Sequence, residues 1–573
     1  MLDLLIRGAD VIDGTGAPRR RADVGVRDGR IVAIGTVDED ATTVIDAAGL
    51  VVAPGFVDLH THYDAQVLWD SALTPSPLHG VTTIVGGNCG FTIAPVEPSE
   101  TDYLTRMLAR VEGMPLESLV ASVPYDWRTF GEYLDRIDGT TAVNAGFLVG
   151  HSAIRRCVMG DDAVGKPASN DQIEAMRTML DESLAAGGLG FSSSWARTHN
   201  DAAGDPVPSR AATKDELIAL CETTGKHEGT TLEFIPSVGG FEDEHLQLMS
   251  DMSKAANRPL NWNVLVPNAA RAEYAWDALG AGDYAAERGG RVLALTVPDT
   301  MKTFLSFKSG FVLDALPGWA KTMALPPEDK LHALSDPAER TRLVEGASSP
   351  EAGMLRGLAN WASMEVNQTF EPENEGLAGR TVGDIAAERG QEPFDTLCDI
   401  VVADKLATVI CPPVAGNDDA SWNLRRDIWR DPRAIVGASD AGAHLDMLST
   451  FNYSTAMLRA CREHDLMPLE EAVSLLTDRQ ARLYGIKERG RIEDGWHADF
   501  VVFDPETVAP GPIVWRNDLP AGAGRLYGEA EGIAHVIVNG VEIVRDGELT
   551  GATPGTLLRS GRDTETVTAA APV

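Results

Sequence analysis

The sequence predicts an α/β fold: a (β/α)₈ TIM barrel that carries a small β-sandwich domain built from both ends of the chain. Three observations lead to this prediction. Eight short apolar runs alternate with helical patterns, which is the mark of repeated βα units. Both ends of the chain are rich in short strands and tight turns. A long stretch of about 298–431 separates the seventh apolar run from the eighth.

The terminal domain is predicted over residues 1–52 and 488–551. Asp28-Gly29 and Asn539-Gly540 each lie between two apolar runs. These dipeptides are typical of two-residue β-hairpin turns, so both ends read as short antiparallel strands. Residues 552–573 are polar and rich in Thr and Ala, and we predict a mobile tail there.

The barrel is predicted over residues 53–487. Its eight strand candidates are, in order, VVAPGFVDL, TTIVGG, NAGFLVG, GLGFSS, TTLEFIP, LNWNVLV, RVLALTV and AIVGASD. The region exceeds the roughly 250 residues of a typical barrel. Most of the excess lies at about 298–431, so we predict an insertion between strands seven and eight that forms a lid or a small core of its own.

Composition narrows the classes of function. The chain has 573 residues, 44% of them apolar, and a net charge of −36 from 49 basic and 85 acidic residues. This acidity argues against nucleic-acid or anionic-membrane partners. We expect a cytoplasmic protein, because the sequence shows no signal peptide and no membrane-spanning run. The six cysteines form no CxxC pair, so a disulfide framework is not expected. We expect a homo-oligomer, since closed symmetric assemblies are common among soluble enzymes.

The strongest functional signal is the pair His60 and His62 at the end of the first predicted strand. Residues i and i+2 of a strand share one face, so both imidazoles can reach one cation. The alternative is two solvated or structural histidines. The position after a Pro-Gly entry and a short apolar strand favours a metal site.

Other predicted strands also end in polar residues. Chemistry in such barrels sits at the carboxyl ends of the strands. The polar residues there are Cys89 on strand two, His151 on three, Glu233 on five, Asn261 and Asn263 on six, and Asp440 on eight. Each has a structural alternative: Cys89 could merely pack, Asp440 could cap a helix, and His151 could make a purely structural hydrogen bond.

Four motifs together resemble the amidohydrolase superfamily, in its N-acyl-D-amino-acid deacylase (D-aminoacylase) branch. They are PGFVDLHTH, NCGFTIAP, LVGHSAIRRCVMG and the Ser-Asp of strand eight. The resemblance implies that His60 and His62 bind metal, that Cys89 helps to hold zinc and that Asp440 acts on water. Imidazole and thiolate suit one or two Zn²⁺ ions, although another divalent metal would also fit. Asp440 would be the general base and acid, and His151 would help to polarise the carbonyl.

The sequence departs from this branch at strands five and six, where the resemblance implies histidines. By position Glu233 replaces the first, and Asn261 or Asn263 replaces the second. Two interpretations follow. Either His60, His62, Cys89 and Asp440 hold the metal, with Glu233 as an oxygen ligand or supporting partner, or tight binding is lost and the protein is a pseudoenzyme. We favour the first, because loss of function would be expected to damage the other ligands as well.

We therefore predict a metal-dependent hydrolase of EC 3.5 type that cleaves a non-peptide C–N amide bond of a small molecule. The expected lysine of strand six is missing, and no arginine lies between Asp440 and Arg459. A free substrate carboxylate would lack its usual cation, so we expect a less charged amide. Alternatives are a cyclic amide, lactone, ester or deamination substrate, or a non-catalytic assembly protein. The candidate substrate-binding residues are Tyr63, Trp69, Trp195, Asn263 and His444.

Overall fold

The computed structural model describes residues 1–310 and 312–570. The chain divides into two compact units. The first holds Met1–Asp299, Gly416–Ala443 and the chain from Thr450 onward. The second holds Thr300–Ala415 and His444–Ser449.

Both ends of the chain contribute to one nine-stranded sheet in the first unit. Its strands are Leu2–Val11, Arg20–Arg27, Arg30–Gly35, Ala41–Asp46, Val51–Pro54, Phe500–Phe503, Ile533–Val538, Val541–Arg545 and Glu548–Leu549. The turn at Asp28-Gly29 has φ values of 51° and 71°, and the turn at Asn539-Gly540 has 48° and 78°. Two consecutive positive φ values define the type I′ hairpin turn that these dipeptides predict.

The centre of the first unit consists of parallel strands, which we call the core strands. One sheet joins Phe56–Asp58, Val81–Gly86 and Asn144–Phe147, and a second joins Val149–Gly150, Gly190–Ser194, Thr231–Ile235, Leu260–Leu265, Val292–Thr296 and Ala434–Val436. Only Leu148 separates Asn144–Phe147 from Val149–Gly150. Nearly every residue of these strands is buried, as expected when helices cover both faces of a parallel sheet. The α/β class is confirmed, and closure into a barrel stays a prediction.

The helices of the first unit alternate with the core strands. Their bounds are Thr101–Val111, Leu116–Ser122, Phe130–Ile137, His151–Met159, Asn170–Ala185, Lys214–Thr224, Asp243–Ala256, Ala272–Ala286, Asp419–Arg430, Tyr453–Glu463, Leu469–Leu476 and Asp478–Leu483. Side-chain caps fix several of the starts. Ser169, for example, accepts from the backbone N–H of Gln172 and the Gln172 side chain accepts in return, a capping box. Within the described residues, no helix is both long enough and apolar enough to cross a bilayer.

The second unit has a core of its own. A four-stranded sheet of Leu305–Ser306, Glu365–Gln368, Arg380–Thr381 and Val409–Cys411 accompanies the helices Ala320–Met323, Pro327–Ser335, Pro337–Ser348, Val382–Arg389 and Pro393–Ala403. Trp319 stacks on Trp361 at 5.4 Å between ring centroids, and both rings contact Phe394. The unit thus buries Trp319, Trp361 and Phe394 in a core of its own.

The predicted end of the insertion, at about residue 431, needs correction. The compact second unit ends its main segment at Ala415, and the helix Asp419–Arg430 belongs to the first unit. Ile428 and Trp429 of this helix are fully buried in the main core. The sequence pattern could not separate this amphipathic helix from the insertion that precedes it.

The first predicted strand, VVAPGFVDL, is two strands. Val51–Pro54 pairs antiparallel with Phe500–Phe503 in the terminal sheet, whereas Phe56–Asp58 pairs parallel with Val81–Gly86. Gly55 joins them at a close approach, because a Cβ there would lie 2.1 Å from Thr82 Oγ1. The chain therefore passes from the terminal sheet to the core strands at a position that only glycine can occupy.

The prediction of a mobile tail over residues 552–573 is wrong for the segment 555–566. Ala145 N–H donates to the carbonyl of Thr556 at 3.0 Å, and Leu558 N–H donates back to Ala145 at 2.8 Å. Leu557 and Leu558 are buried, and Glu565 N–H donates to the carbonyl of Gly485 at 2.7 Å. Two adjacent leucines in a polar stretch thus anchor the segment. Residues 571–573 lie outside the described part of the chain.

Buried His79 makes the stability of the fold sensitive to acid. Its Nδ1 and Nε2 lie 2.8 Å from Thr455 Oγ1 and 3.1 Å from the carbonyl of Gly528. Burial lowers the pKa of His79 to about 4. Stability from this neutral imidazole is present above the ordinary pKa of about 6.5 and is lost as the pH falls toward 4.

We predict that acidification from pH 8 to pH 5 costs the wild type about 2 kcal/mol through His79. A His79→Gln variant does not titrate in this range. Its free energy of unfolding should therefore approach that of the wild type as the pH falls. Denaturant unfolding of both proteins at pH 8 and pH 5 measures this difference. If the free energies of unfolding of the wild type and His79→Gln differ by the same amount at pH 8 and pH 5, the prediction is contradicted.

Candidate metal centre

His60 and His62 follow the first core strand, Phe56–Asp58, as the sequence predicts. Between them, Thr61 N–H donates to the carbonyl of Val85 at 3.0 Å. His62 N–H donates to the carbonyl of Ala441 at 2.7 Å. These two bonds hold residues 60–62 against the second core strand and against the chain that follows the last core strand. The two imidazole rings are 5.2 Å apart between centroids, and both side chains are almost fully buried.

Cys89 joins the pair from the turn Asn88–Gly90, which follows the second core strand. The Asn88 side chain donates to the carbonyls of Thr61 and Val85, at 3.2 and 2.9 Å, so the turn is fixed to the histidine segment. Cys89 Sγ lies 3.6 Å from His60 Nε2. One ligand atom from each of His60, His62 and Cys89 lies within 4.8 Å of the other two.

Asp440 follows the last core strand and faces both histidines. Its N–H donates to the carbonyl of His60 at 3.1 Å, which places the side chain beside the pair. Asp440 Oδ1 lies 3.4 Å from His60 Nε2 and 3.1 Å from His62 Nε2. The Asp440 side chain keeps 27% of its surface exposed, against 3% for each histidine. It is therefore the member of the group that solvent or a substrate can reach.

These four residues fit a metal ion by geometry and by chemistry. Two ligands placed tetrahedrally at the usual zinc distance of about 2.1 Å are about 3.4 Å apart. Three donor pairs have this spacing: Asp440 Oδ1 to His62 Nε2 at 3.1 Å, Asp440 Oδ1 to His60 Nε2 at 3.4 Å, and Cys89 Sγ to His60 Nε2 at 3.6 Å. Two imidazoles, a thiol and a carboxylate form a donor set typical of zinc. His60 Nδ1 is buried without a hydrogen bond, so only Nε2 of this ring faces the other donors.

Glu112 also reaches the group, and sequence reasoning missed it. It caps the C-terminal end of the helix Thr101–Val111, where it is buried, and its Oε1 lies 3.4 Å from His62 Nδ1. Carboxylates in this position orient metal-binding histidines. An isolated Glu at the end of a helix carries no sequence signal, because most such residues are solvated.

Glu233, on the core strand Thr231–Ile235, and Asn263, on the core strand Leu260–Leu265, contact Cys89. Glu233 Oε2 accepts from Cys89 N–H at 2.8 Å. The Asn263 amide donates to Glu233 Oε1 at 2.8 Å and contacts Cys89 Sγ at 3.6 Å. The structure therefore brings both residues to the group; Asn263 Nδ2 is held by protein partners, its Oδ1 has none, and its contact with substrate stays a prediction. Glu233 lies outside the three-residue donor cluster.

The charges of this site are strongly coupled. Burial raises the pKa of Glu112 to about 7, although His62 opposes the shift. Burial alone would lower the pKa of His62, but Glu112 and Asp440 raise it to about 9. Burial would raise the pKa of Asp440, yet His60 and His62 hold it well below its usual range. Burial and then Glu233 raise the pKa of the Cys89 thiol. Several buried carboxyl groups around two imidazoles favour a bound cation.

The prediction that His151 acts on the substrate is wrong. Its Nδ1 lies 2.8 Å from Ser193 Oγ and its Nε2 lies 2.9 Å from Glu216 Oε1. Arg155 also donates to Glu216, and the side chains of all three residues are fully buried. Both imidazole nitrogens are thus used within this network, so His151 has a structural role.

The predicted substrate contacts have different fates. The prediction that Tyr63 binds substrate is wrong, because its side chain is fully buried and its hydroxyl lies 2.6 Å from Ser76 Oγ. Trp69 and Trp195 are half-buried against the main core, and Trp195 packs edge-on against Phe234 at 6.0 Å. Their contact with substrate stays a prediction. His444 belongs to the second compact unit, and its role also stays a prediction.

Comparisons with known proteins identify a family that the chain resembles over nearly its whole length. The Amidohydrolase family model matches residues 43–544. A D-aminoacylase of Alcaligenes xylosoxydans xylosoxydans is 30% identical, over 97% of each chain. The crystal structure of N-acyl-D-glutamate deacylase from Bordetella bronchiseptica, complexed with zinc and a phosphonate inhibitor, is 27% identical with a TM-score of 0.64, and the match covers 98% of this chain and 100% of that one.

A solved D-aminoacylase structure, from a study of its binuclear metal centre, is also 27% identical with a TM-score of 0.63 and the same coverage. The similarity therefore extends over nearly the whole chain and over relatives that carry metal. A metal cofactor and hydrolysis of amide bonds are what these relatives share. The chain belongs to the amidohydrolase family, in its D-aminoacylase-like branch, and is a metal-dependent hydrolase of amide bonds.

Proposed function

We propose that this hydrolase cleaves the C–N bond of a small N-acyl or related amide at a zinc centre held by His60, His62, Cys89 and Asp440. One observation carries the proposal. His60 Nε2, His62 Nε2 and Cys89 Sγ converge beside Asp440 Oδ1, with neighbouring donors 3.1 to 3.6 Å apart. The soft thiol and the imidazoles favour zinc over magnesium or calcium, which prefer oxygen ligands.

The protein side chains divide the work. Bound Zn²⁺ would supply a Lewis-acidic charge that makes water a nucleophile at neutral pH. Asp440 is the partly exposed carboxylate of the group, so it can take the proton from the attacking water. The same carboxyl group can then deliver the proton to the leaving nitrogen. His60 and His62 are buried and keep bulk water from the inner side of the site.

We also propose that the core strands close into a (β/α)₈ barrel. Thr61 and Ala441 form an isolated parallel bridge beside the first and last core strands. This contact supports closure, because it joins the two ends of the strand series. Closure would place His60, Cys89, Glu233 and Asp440 on one rim.

The charge around the site supports a neutral substrate. Glu112, Glu233 and Asp440 lie in one small group, and the first two are buried. Bound zinc offsets part of this negative charge, so a substrate carboxylate would still need a cation of its own from the protein. Strand six reads Leu-Asn-Trp-Asn and supplies no lysine for this role. We therefore propose an amide or ester of an N-acylated amino acid, or a related neutral amide, as the preferred substrate.

The second candidate is a free N-acyl-D-amino acid. The observation in its favour is the 30% identity to a D-aminoacylase over nearly the whole chain, with N-acyl-D-aspartate and N-acyl-D-glutamate deacylases of the same organism at 29%. The two candidate substrates differ only in whether the carboxyl group is free or is an amide or ester, so the kcat/KM values for the two can be compared directly.

We predict that the zinc-loaded protein hydrolyses N-acetyl-D-amino-acid amides with a kcat/KM at least about tenfold above that of the free acids. Acetate release measures both, and cyclic amides and lactones complete the panel. A strong preference for the free acids would reject the neutral substrate and favour the second candidate. Zinc-loaded protein that turns over none of these compounds would reject both candidate substrates.

A further inference from the structure

Cys89, Glu233 and Asn263 form a closed set of hydrogen bonds that we call the Cys89 clamp. Cys89 N–H donates to one oxygen of Glu233 at 2.8 Å, and Asn263 Nδ2 donates to the other oxygen at 2.8 Å. The same Asn263 nitrogen lies 3.6 Å from Cys89 Sγ, which closes the set. All three residues are at least 94% buried, since their exposures are 6%, 0% and 3%.

The clamp holds a cysteine that needs support. Cys89 has a φ of 56°, a left-handed conformation that costs an ordinary side chain about 1 kcal/mol or more. Glu233 accepts from the backbone of this residue, and Asn263 donates toward its sulfur. The two partners therefore fix both the backbone and the side chain of Cys89.

The clamp uses both oxygens of Glu233 and the amide nitrogen of Asn263, whereas Asn263 Oδ1 is buried without a hydrogen-bond partner. Each Glu233 oxygen accepts a hydrogen bond, and the Asn263 Nδ2 group donates within the clamp. Across residues 1–310 and 312–570, the donor group whose ligand atoms all lie within 4.8 Å of one another consists of His60, His62 and Cys89, and Asp440 approaches it through the two histidines. A second ion beside Cys89 would have to draw Glu233 out of the clamp, because the amide oxygen Asn263 Oδ1 is by itself a poor zinc ligand.

We propose that this protein binds one metal ion per chain and that Glu233 and Asn263 are positioning residues, which aim Cys89 at that ion instead of binding a second one. The inference rests on the proposed metal site. It sets the chain apart from its relative with a binuclear centre. Positioning partners of metal ligands typically change metal affinity about 10- to 100-fold when they are removed.

Cobalt titration of the full-length apoprotein tests the proposal. Co²⁺ coordinated by a thiolate gives a near-ultraviolet charge-transfer band, so the titration reports both the number of ions and the contact with Cys89. We expect one ion per wild-type chain and a thiolate band that saturates with it. Asn263→Ala should keep one ion but bind it about 10- to 100-fold more weakly, with a weaker band at equal occupancy.

Asn261→Ala is the matched control. Asn261 lies on the same strand, two residues earlier, and is as buried, but its amide donates to the carbonyl of Leu232 and to the hydroxyl of Tyr484. The Asn261→Ala variant should therefore bind Co²⁺ like the wild type. Glu233→Gln is a second test variant that preserves size. It places the Gln side-chain amide opposite the Asn263 amide where the carboxylate was, so it should weaken Co²⁺ binding to a similar extent.

Two results would overturn the proposal: two tightly bound ions per wild-type chain, or equal Co²⁺ affinity and band intensity in Asn263→Ala and Asn261→Ala. Should Asn263→Ala not fold, Glu233→Gln decides, and wild-type Co²⁺ affinity in that variant overturns the proposal as well. These results are independent of turnover. A protein that binds one ion at Cys89, with weaker binding in the clamp variants, but hydrolyses no amide would reject the proposed function alone.

Discussion

Replacing Asp440 by asparagine is expected to lower kcat for amide hydrolysis by about 10²- to 10⁴-fold, the usual contribution of a general acid and base. Asparagine has nearly the same size and keeps an oxygen toward His60 and His62, but it cannot accept the proton of water. Most of the metal should stay bound, because the two imidazoles and Cys89 remain. The measurement is kcat on the best substrate, with the metal content of the same preparation.

Asp58→Asn provides the comparison. Asp58 is fully buried on the strand that leads to His60, and its Oδ1 accepts from His60 N–H at 3.3 Å. An amide oxygen can accept the same bond, so kcat should change far less. Equal losses in the two variants would mean that the effect at Asp440 comes from packing and not from proton transfer. Full activity in Asp440→Asn would remove Asp440 from its proposed role.

Local patterns made the centre of the site predictable. His60 and His62 are two residues apart at a strand end, and the cysteine turn follows the next strand. Parallel strands bring their carboxyl ends to one edge, so residues far apart in sequence meet without any further information. Asp440 was predictable for the same reason, because it follows the last core strand.

The remaining features depend on contacts that no local pattern encodes. Glu112 comes from a helix end 50 residues after His62, and nothing in its neighbourhood marks it as buried. His151 occupies a strand end just as a catalytic residue would. Its partner Glu216 lies 65 residues later and decides that its role is structural. The prediction of a mobile tail was wrong for a similar reason. Burial of Leu557 and Leu558 holds the segment in place, although its composition is polar.

Replacing His62 by alanine should abolish high-affinity metal binding. Four-ligand zinc sites gain roughly 10–16 kcal/mol in total, so one ligand is worth about 3 kcal/mol, or about 100-fold in affinity. The variant also leaves Glu112 buried without its imidazole neighbour, which lowers the stability of the fold. Competition with a chromophoric chelator measures the affinity. His227→Ala is the matched control, since His227 pairs with Asp181 away from the centre, and it should bind metal like the wild type.

Excess zinc separates the two things that His62 can do. If this residue only retains the ion, saturating zinc should restore most of the lost kcat in His62→Ala. If its contact with Asp440 Oδ1, at 3.1 Å, also orients the carboxylate, kcat should stay low at full occupancy. We expect the second result, because Asp440 is held by His60 and His62 together and losing one of them frees its side chain to rotate. Unchanged metal affinity and unchanged kcat in His62→Ala would contradict the proposed centre itself.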